Sequence, residues 1–226
     1  MLLTVSNVGK AYGGVRVLGG ATFELAPQER VLLLGPSGSG KSTLINIVCG
    51  LQSPDEGTVL VDGVPIAAAD GSAAGDEVRR KNLGIVFQTL RLISALSLRS
   101  NLALAQRLQT GSSDEGMIGE TLERLGITHR ADARPSELSQ GEAQRAAIAR
   151  AIVVKPKLLI ADEPTSALDH ANAEAVAKLL LELSEQAGTA LLVATHDDRL
   201  APYFSRTLRL ESGKLADSPT AQGVPA

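Results

Sequence analysis

Gly35-Pro36-Ser37-Gly38-Ser39-Gly40-Lys41-Ser42 fits the spacing G-x-x-x-x-G-K-[ST], which suits the wrapping of a phosphate chain. Gly35, Gly38 and Gly40 allow a tight loop whose backbone N–H groups turn inward around β- and γ-phosphates. The start of the following helix adds its partial positive charge. Lys41 can reach the β/γ oxygens, the Ser42 hydroxyl can ligate Mg²⁺, and Pro36, Ser37, Ser39 and Thr43 complete the nucleotide-binding set. Far downstream, Leu158-Leu159-Ile160-Ala161-Asp162-Glu163 is an apolar run ending in two carboxylates. Asp162 at such a strand end binds Mg²⁺ directly or through water. Glu163 can face the γ-phosphate as general base for an attacking water, a role worth about 10²–10⁴-fold. The plainer alternative is a pair of acids capping the next helix.

Between these two stretches lies Leu138-Ser139-Gln140-Gly141-Glu142. Ser139 followed three residues later by Glu142 is a capping box, so this segment reads at least as the start of a helix.

The elements that must hold these residues are legible from periodicity. Val31–Leu34, Leu158–Ala161 and Ala190–Ala194 are short, nearly continuous apolar runs, which fit strands of a parallel sheet covered on both faces. Helical patterns accompany them: Lys41–Cys49 closed by Gly50, Gly141–Val154 ended near Pro156, and Ala173–Ala187 closed by Gly188. Residues 1–30 and 56–66 instead carry β-rich pieces separated by turn formers such as Asp62-Gly63, the pattern of an antiparallel subdomain. From Leu90 to Pro135 strand signals disappear and Leu and Ala recur among polar residues, which predicts a helical lobe. Ala67–Asp76 reads as a surface loop with room for a short helix. The predicted fold is α/β, a P-loop NTPase core with a mostly parallel sheet, an antiparallel β subdomain and a helical lobe. One domain is expected over residues 1–215, its lobe over about 90–140, with a disordered tail over 216–226.

Composition narrows the function. The 226 residues hold 22 Lys plus Arg against 25 Asp plus Glu, a net charge of −3 that gives no support to a nucleic-acid partner. Cys49 stands alone in an apolar run, so it reads as a core thiol in a reducing cytosol. No basic n-region opens the chain, and its apolar runs fall far short of the roughly 20 residues that span a bilayer. A membrane role therefore requires another subunit.

The order phosphate loop, Leu-Ser-x-Gly-Glu, acidic strand end resembles the ATP-binding subunits of ABC transporters, over about residues 1–215. That resemblance implies ATP, with Tyr12 at the place of the aromatic that stacks on adenine; no Asn-Lys-x-Asp guanine-reading string occurs. It implies a head-to-tail dimer of two copies closed over two ATP molecules, Ser139 and Gly141 of one chain reaching the γ-phosphate of the other. Gln140 departs from the family's usual glycine, and Glu142 replaces the commoner Gln as in subunits of lipoprotein-release and macrolide-export systems. By the same resemblance Gln88 senses Mg²⁺ or the attacking water, Asp169 communicates across the dimer, and His196 holds the γ-phosphate. His129 and His170 match no such element and read as surface.

Such a subunit drives a separate membrane permease from the cytoplasmic face of the inner membrane. Leu90, Leu92, Ile93, Leu96 and Leu98 either line the groove that receives a permease helix or form the core of the lobe. The short stretch after Leu215 leaves no room for the regulatory domain of many sugar importers, so export or mechanotransmission is expected ahead of import. A non-transport ABC-type ATPase acting on DNA or ribosomes is the competing class; the long coiled coil or second ATPase core of those proteins is absent from this sequence.

Overall fold

The computed structural model describes residues 1–165 and 170–219. In chain order the first half runs β1 (Leu3–Tyr12), β2 (Val15–Leu25), β3 (Arg30–Leu34), α1 (Lys41–Val48), β4 (Glu56–Val61), β5 (Val64–Ala68), α2 (Gly75–Asn82) and β6 (Leu83–Val86). The second half runs α3 (Leu98–Thr110), α4 (Glu115–Arg124), α5 (Gln140–Ile152), β7 (Leu158–Asp162), α6 (His170–Ala187), β8 (Ala190–Thr195), β9 (Arg206–Glu211) and β10 (Lys214–Pro219).

The continuous apolar runs are strands because both of their faces are covered. In the six-stranded sheet, order β10-β9-β3-β8-β7-β6, all neighbours are parallel except β9 and β10. Successive side chains point to opposite faces. Val31 and Leu33, Leu158 and Ile160, and Ala190, Leu192 and Ala194 pack with α1 and the antiparallel sheet on one side. Leu32 and Leu34, Leu159 and Ala161, and Leu191 and Val193 pack with α3, α4, α5 and α6 on the other. A polar residue at any of these positions would be buried whichever face it took. Cys49 is fully buried in the first of the two cores, and burial pushes its thiol pKa up, which keeps it inert.

Residues 3–25 and 56–68 build the four-stranded antiparallel sheet β2-β1-β4-β5. β2 leans on the phosphate loop: a Cβ at Gly40 would lie 3.0 Å from the Val17 carbonyl oxygen and 3.1 Å from Leu18 Cδ2. On the other side of the core, α3 and α4 form the lobe through Leu98, Leu102, Ile118 and Leu122, all buried against α5. The irregular segment before α3 is pinned by buried Asn101, whose side chain accepts from Ile93 N at 2.8 Å and donates to Ile93 O at 3.1 Å.

Two stretches differ from expectation. Ala67 and Ala68, expected in a surface loop, are instead the buried end of β5, and α2 starts at Gly75 and runs to Asn82, carrying acids in its first turn and bases in its last, in accord with the helix dipole. The tail expected to be disordered from residue 216 is instead ordered to Pro219 as β10, paired with β9 from Lys214↔Glu211 to Pro219↔Arg206. Arg206 is the physical reason: its Nε donates to Asp217 Oδ1 at 3.0 Å while Nη1 meets Glu29 Oε1 at 2.9 Å, tying the hairpin to the core. Residues 220–226 lie outside the described part.

Candidate functional site

The parallel register brings the chemistry to one edge. Leu34 pairs with Thr195 and Asp162 with Ala194, so the phosphate loop, Glu163 and His196 all leave the sheet at the same carboxyl end. Open α/β sheets bind their ligands outside this end.

The loop is shaped for an anion that approaches its backbone. A Cβ at Gly35 would stand 2.3 Å from Leu210 O, and Gly38 and Gly40 have φ of 80° and 105°, which L side chains rarely adopt. Helix α1 begins at Gly40 with no side-chain cap and no acid in its first turn. By contrast α3, α4 and α5 are capped by Ser97, Asp114 and Ser139. The uncapped N–H groups at α1, together with the buried Ser39 Oγ that has no hydrogen-bond partner, want acceptors from outside the chain. Buried Lys41 donates to the carbonyls of Gly35 at 2.8 Å and Pro36 at 3.2 Å, and its Nζ sits 3.3 Å from Glu163 Oε1. These acceptors are oxygens, and phosphate oxygens can replace them.

Beside the loop, Ser42 Oγ donates to Asp162 Oδ1 at 3.4 Å, which places two hard oxygen ligands together. Burial pushes the Asp162 carboxyl up; the Ser42 hydroxyl opposes this, the charge of Glu163 adds to it and that of Lys41 lowers it. Glu163 has a left-handed backbone, φ 47°, fixed by its N–H to Ala194 O at 2.8 Å. That conformation is costly for a residue with a side chain and holds the carboxylate at a set angle. Its Oε2 faces His196 Nδ1 at 2.9 Å and accepts from Thr195 Oγ1 at 3.4 Å. A carboxylate so oriented can take a proton from water, and the imidazole beside it, half exposed, can donate or accept at the same place.

At the start of α5 the capping box is complete. Ser139 N and Oγ both donate to Glu142 Oε2 at 2.8 Å, and Glu142 N donates back to Ser139 Oγ at 3.4 Å. Glu142 Oε1 meets Arg130 Nε at 2.7 Å and His129 Nε2 at 3.2 Å. Arg130 chiefly, with the Ser139 N–H, draws the Glu142 carboxyl down to about 2. Ser139, Gln140 and Gly141 are exposed, and a Cβ at Gly141 would meet nothing within 4 Å. Glycine in a helix costs about 0.5–1 kcal/mol relative to Ala, and nothing in this chain's own packing asks for it here.

The remaining predicted residues take separate places. Gln88 is exposed just past β6. Tyr12 is 48% exposed at the end of β1, its hydroxyl accepting from Gln52 Nε2 and its ring 5.8 Å from Lys10 Nζ. Thr43 is partly buried on α1. Asp169 lies outside the described residues. Of Leu90–Leu98, Leu98 is core and Leu90 and Leu92 pack against it, whereas exposed Ile93 lines a cleft of about 550 Å³ with Phe87, Arg91, Leu104, Leu108 and Arg150. The segment thus divides between residues packed in the lobe's core and the exposed Ile93 at the cleft. Thr195 and Arg130 escaped the sequence reading, and His129, read there as surface, is exposed as expected but also reaches Glu142. Thr195 could have been found as the polar close of an apolar run; nothing in sequence pairs residues 129 and 130 with 142.

A parallel sheet with a phosphate loop on one strand, two carboxylates on another and a capped, exposed Ser-x-Gly-Glu turn on a helical lobe defines an ATP-binding cassette. Residues 18–166 match the ABC transporter family, and the chain belongs to it, as an ATP-hydrolysing subunit. It is 42% identical to the lipoprotein-releasing system ATP-binding protein LolD of Pseudomonas syringae pv. tomato, over 96% of this chain and 98% of that one. The LolD of Pseudomonas fluorescens is 41% identical, over 95% and 96%. Among solved structures, the ATP-binding cassette MJ0796 in a dimeric post-hydrolysis state with ADP and Pi is 31% identical with a TM-score of 0.86, covering 98% of this chain and 100% of that chain. CbiO1 from Clostridium perfringens, part of the complex cbiONQ, is 31% identical with a TM-score of 0.84, covering 97% and 88%.

Proposed function

We propose that two copies of this chain close head to tail over two ATP molecules and drive a membrane permease of lipoprotein-release type from the cytoplasmic face of the inner membrane. The observation that carries the reading is Gly141, an exposed glycine at a helix start whose own fold leaves its Cβ position empty. A backbone that must be approached from outside explains it, and the γ-phosphate on a second copy is the ligand of fitting charge. Near-complete alignment with the two LolD proteins supports the type of system served. Among the described residues no helix is long and apolar enough to cross a membrane, so the permease is a separate chain in this reading.

Within each site the loop N–H groups and Lys41 bind the β- and γ-phosphates, and Tyr12 stacks on the base. Ser42 and Asp162, with Gln88, would hold Mg²⁺, which would neutralise phosphate charge. Lys41 exchanges Glu163 and the two loop carbonyls for phosphate oxygens, which frees the Glu163 carboxylate to take the proton of the attacking water. His196 orients that carboxylate and faces the γ-phosphate, and Ser139 and Gly141 of the second copy close the site. The cleft at Phe87, Ile93 and Leu104 receives a permease helix. The test is to express Glu163→Gln in its own host, solubilise membranes with ATP and identify the bound proteins by mass spectrometry. Recovery of a permease is expected; recovery of ribosomal or DNA-bound proteins alone would overturn the reading.

A further inference from the structure

The carboxylate of Glu142 poses a problem for a signature that must close on phosphate. As the third residue of α5 it satisfies the Ser139 N–H, yet its negative charge offsets the positive helix end that the phosphate needs. It also accepts from the Ser139 hydroxyl, whose Oγ lies 2.8 Å from Oε2. Two anions brought together without compensation oppose association.

The structure assigns the compensation to Arg130: we propose that it is a positioning residue which neutralises Glu142 and draws its carboxylate toward the short helical turn at residues 128–130, so that Ser139 and Gly141 can meet the γ-phosphate of the second copy. This rests on the head-to-tail reading. Arg130 Nε meets Oε1 at 2.7 Å and His129 Nε2 lies 3.2 Å from the same oxygen, so both cationic or donor groups sit on the side of the carboxylate away from Ser139, which takes Oε2. A carboxylate whose charge is shared with a guanidinium is a weaker acceptor for the Ser139 hydroxyl, which therefore transfers to phosphate more readily. The carboxyl's displacement to about 2 reflects the same grip. A neutral Gln at position 142 carries no charge to compensate, so the need for Arg130 follows from the acid at 142.

That dependence gives the test. In full-length Glu163→Gln protein, ATP-driven dimerisation is titrated by sedimentation for Arg130→Ala, Glu142→Gln and the double variant. Binding of a fluorescent ATP analogue to the dilute monomer serves as a control. Arg130→Ala is expected to raise the ATP concentration needed for dimerisation about tenfold in the Glu142 background and less than about twofold in the Glu142→Gln background, with nucleotide binding to the monomer unmoved. Arg130→Lys, which keeps the charge and guards against a folding defect, is expected to fall within about threefold of the parent. Equal losses in both backgrounds would show that Arg130 acts through the fold or touches phosphate itself, and no loss in either would show that Glu142 needs no partner; each overturns the proposal. Gly141→Asp in the same background tests the underlying reading separately, since undiminished dimerisation there removes the head-to-tail contact whatever Arg130 does.

Discussion

At the scale of single residues, Lys41 and Glu163 form a buried ion pair, and the proposed function requires it to part before either acts. They satisfy one another at 3.3 Å, both buried, and this keeps two charges from standing alone in a poorly solvated cleft. In the proposed function phosphate would take the lysine, while His196 and Thr195 already hold the other oxygen of the glutamate. Lys41→Ala is therefore expected to weaken ATP binding itself, seen in an equilibrium titration, whereas Glu163→Gln keeps binding and loses about 10²–10⁴-fold in turnover. Normal turnover in Glu163→Gln would deny it the role of base. Motif spacing made both residues visible in the sequence; their mutual contact was not, because it depends on strand register and on the left-handed turn at Glu163.

At the scale of elements, helix starts sort by what they are built to meet. Helix α1 leaves its first N–H groups free of side chains, and α5 closes its own with Ser139 and Glu142. The α5 cap also carries a pH signature. The Glu142 carboxyl is held down to about 2, against a starting value of 4.5, so its contribution to stability is whole above about pH 4.5 and is lost as the pH falls through about 2. Wild type is expected to melt above Glu142→Gln at neutral pH, with the gap closing over that acidic window; a gap independent of pH would contradict the assignment. The strands that carry the site could be read directly because burial on both faces demands unbroken apolar runs. The β9–β10 hairpin could not: Ala216, Asp217 and Ser218 look like tail, and only the distant Arg206 and the backbone ladder make them strand. For the same reason the contacts of Arg130 and His129 with Glu142 were not legible, since their meeting is set by how the lobe folds back on α5.

At the scale of the whole molecule, the proposed function asks two exposed regions to meet partners. One is the exposed Ser139-Gln140-Gly141 turn, and the other is the cleft bordered by Arg91 over the Phe87 ring at 3.9 Å. ATP closing the first while the permease sits in the second would convert hydrolysis into movement. The order of three motifs made the first face legible, whereas the second needed the structure to separate core leucines from exposed Ile93. The most direct measurement is the sedimentation mass of full-length Glu163→Gln with and without ATP, beside the same protein carrying Gly141→Asp. Head-to-tail closure predicts that the 23.5 kDa chain doubles in mass only with ATP and that Gly141→Asp abolishes the doubling. A monomer at every ATP concentration, or a dimer indifferent to Gly141→Asp, would contradict it.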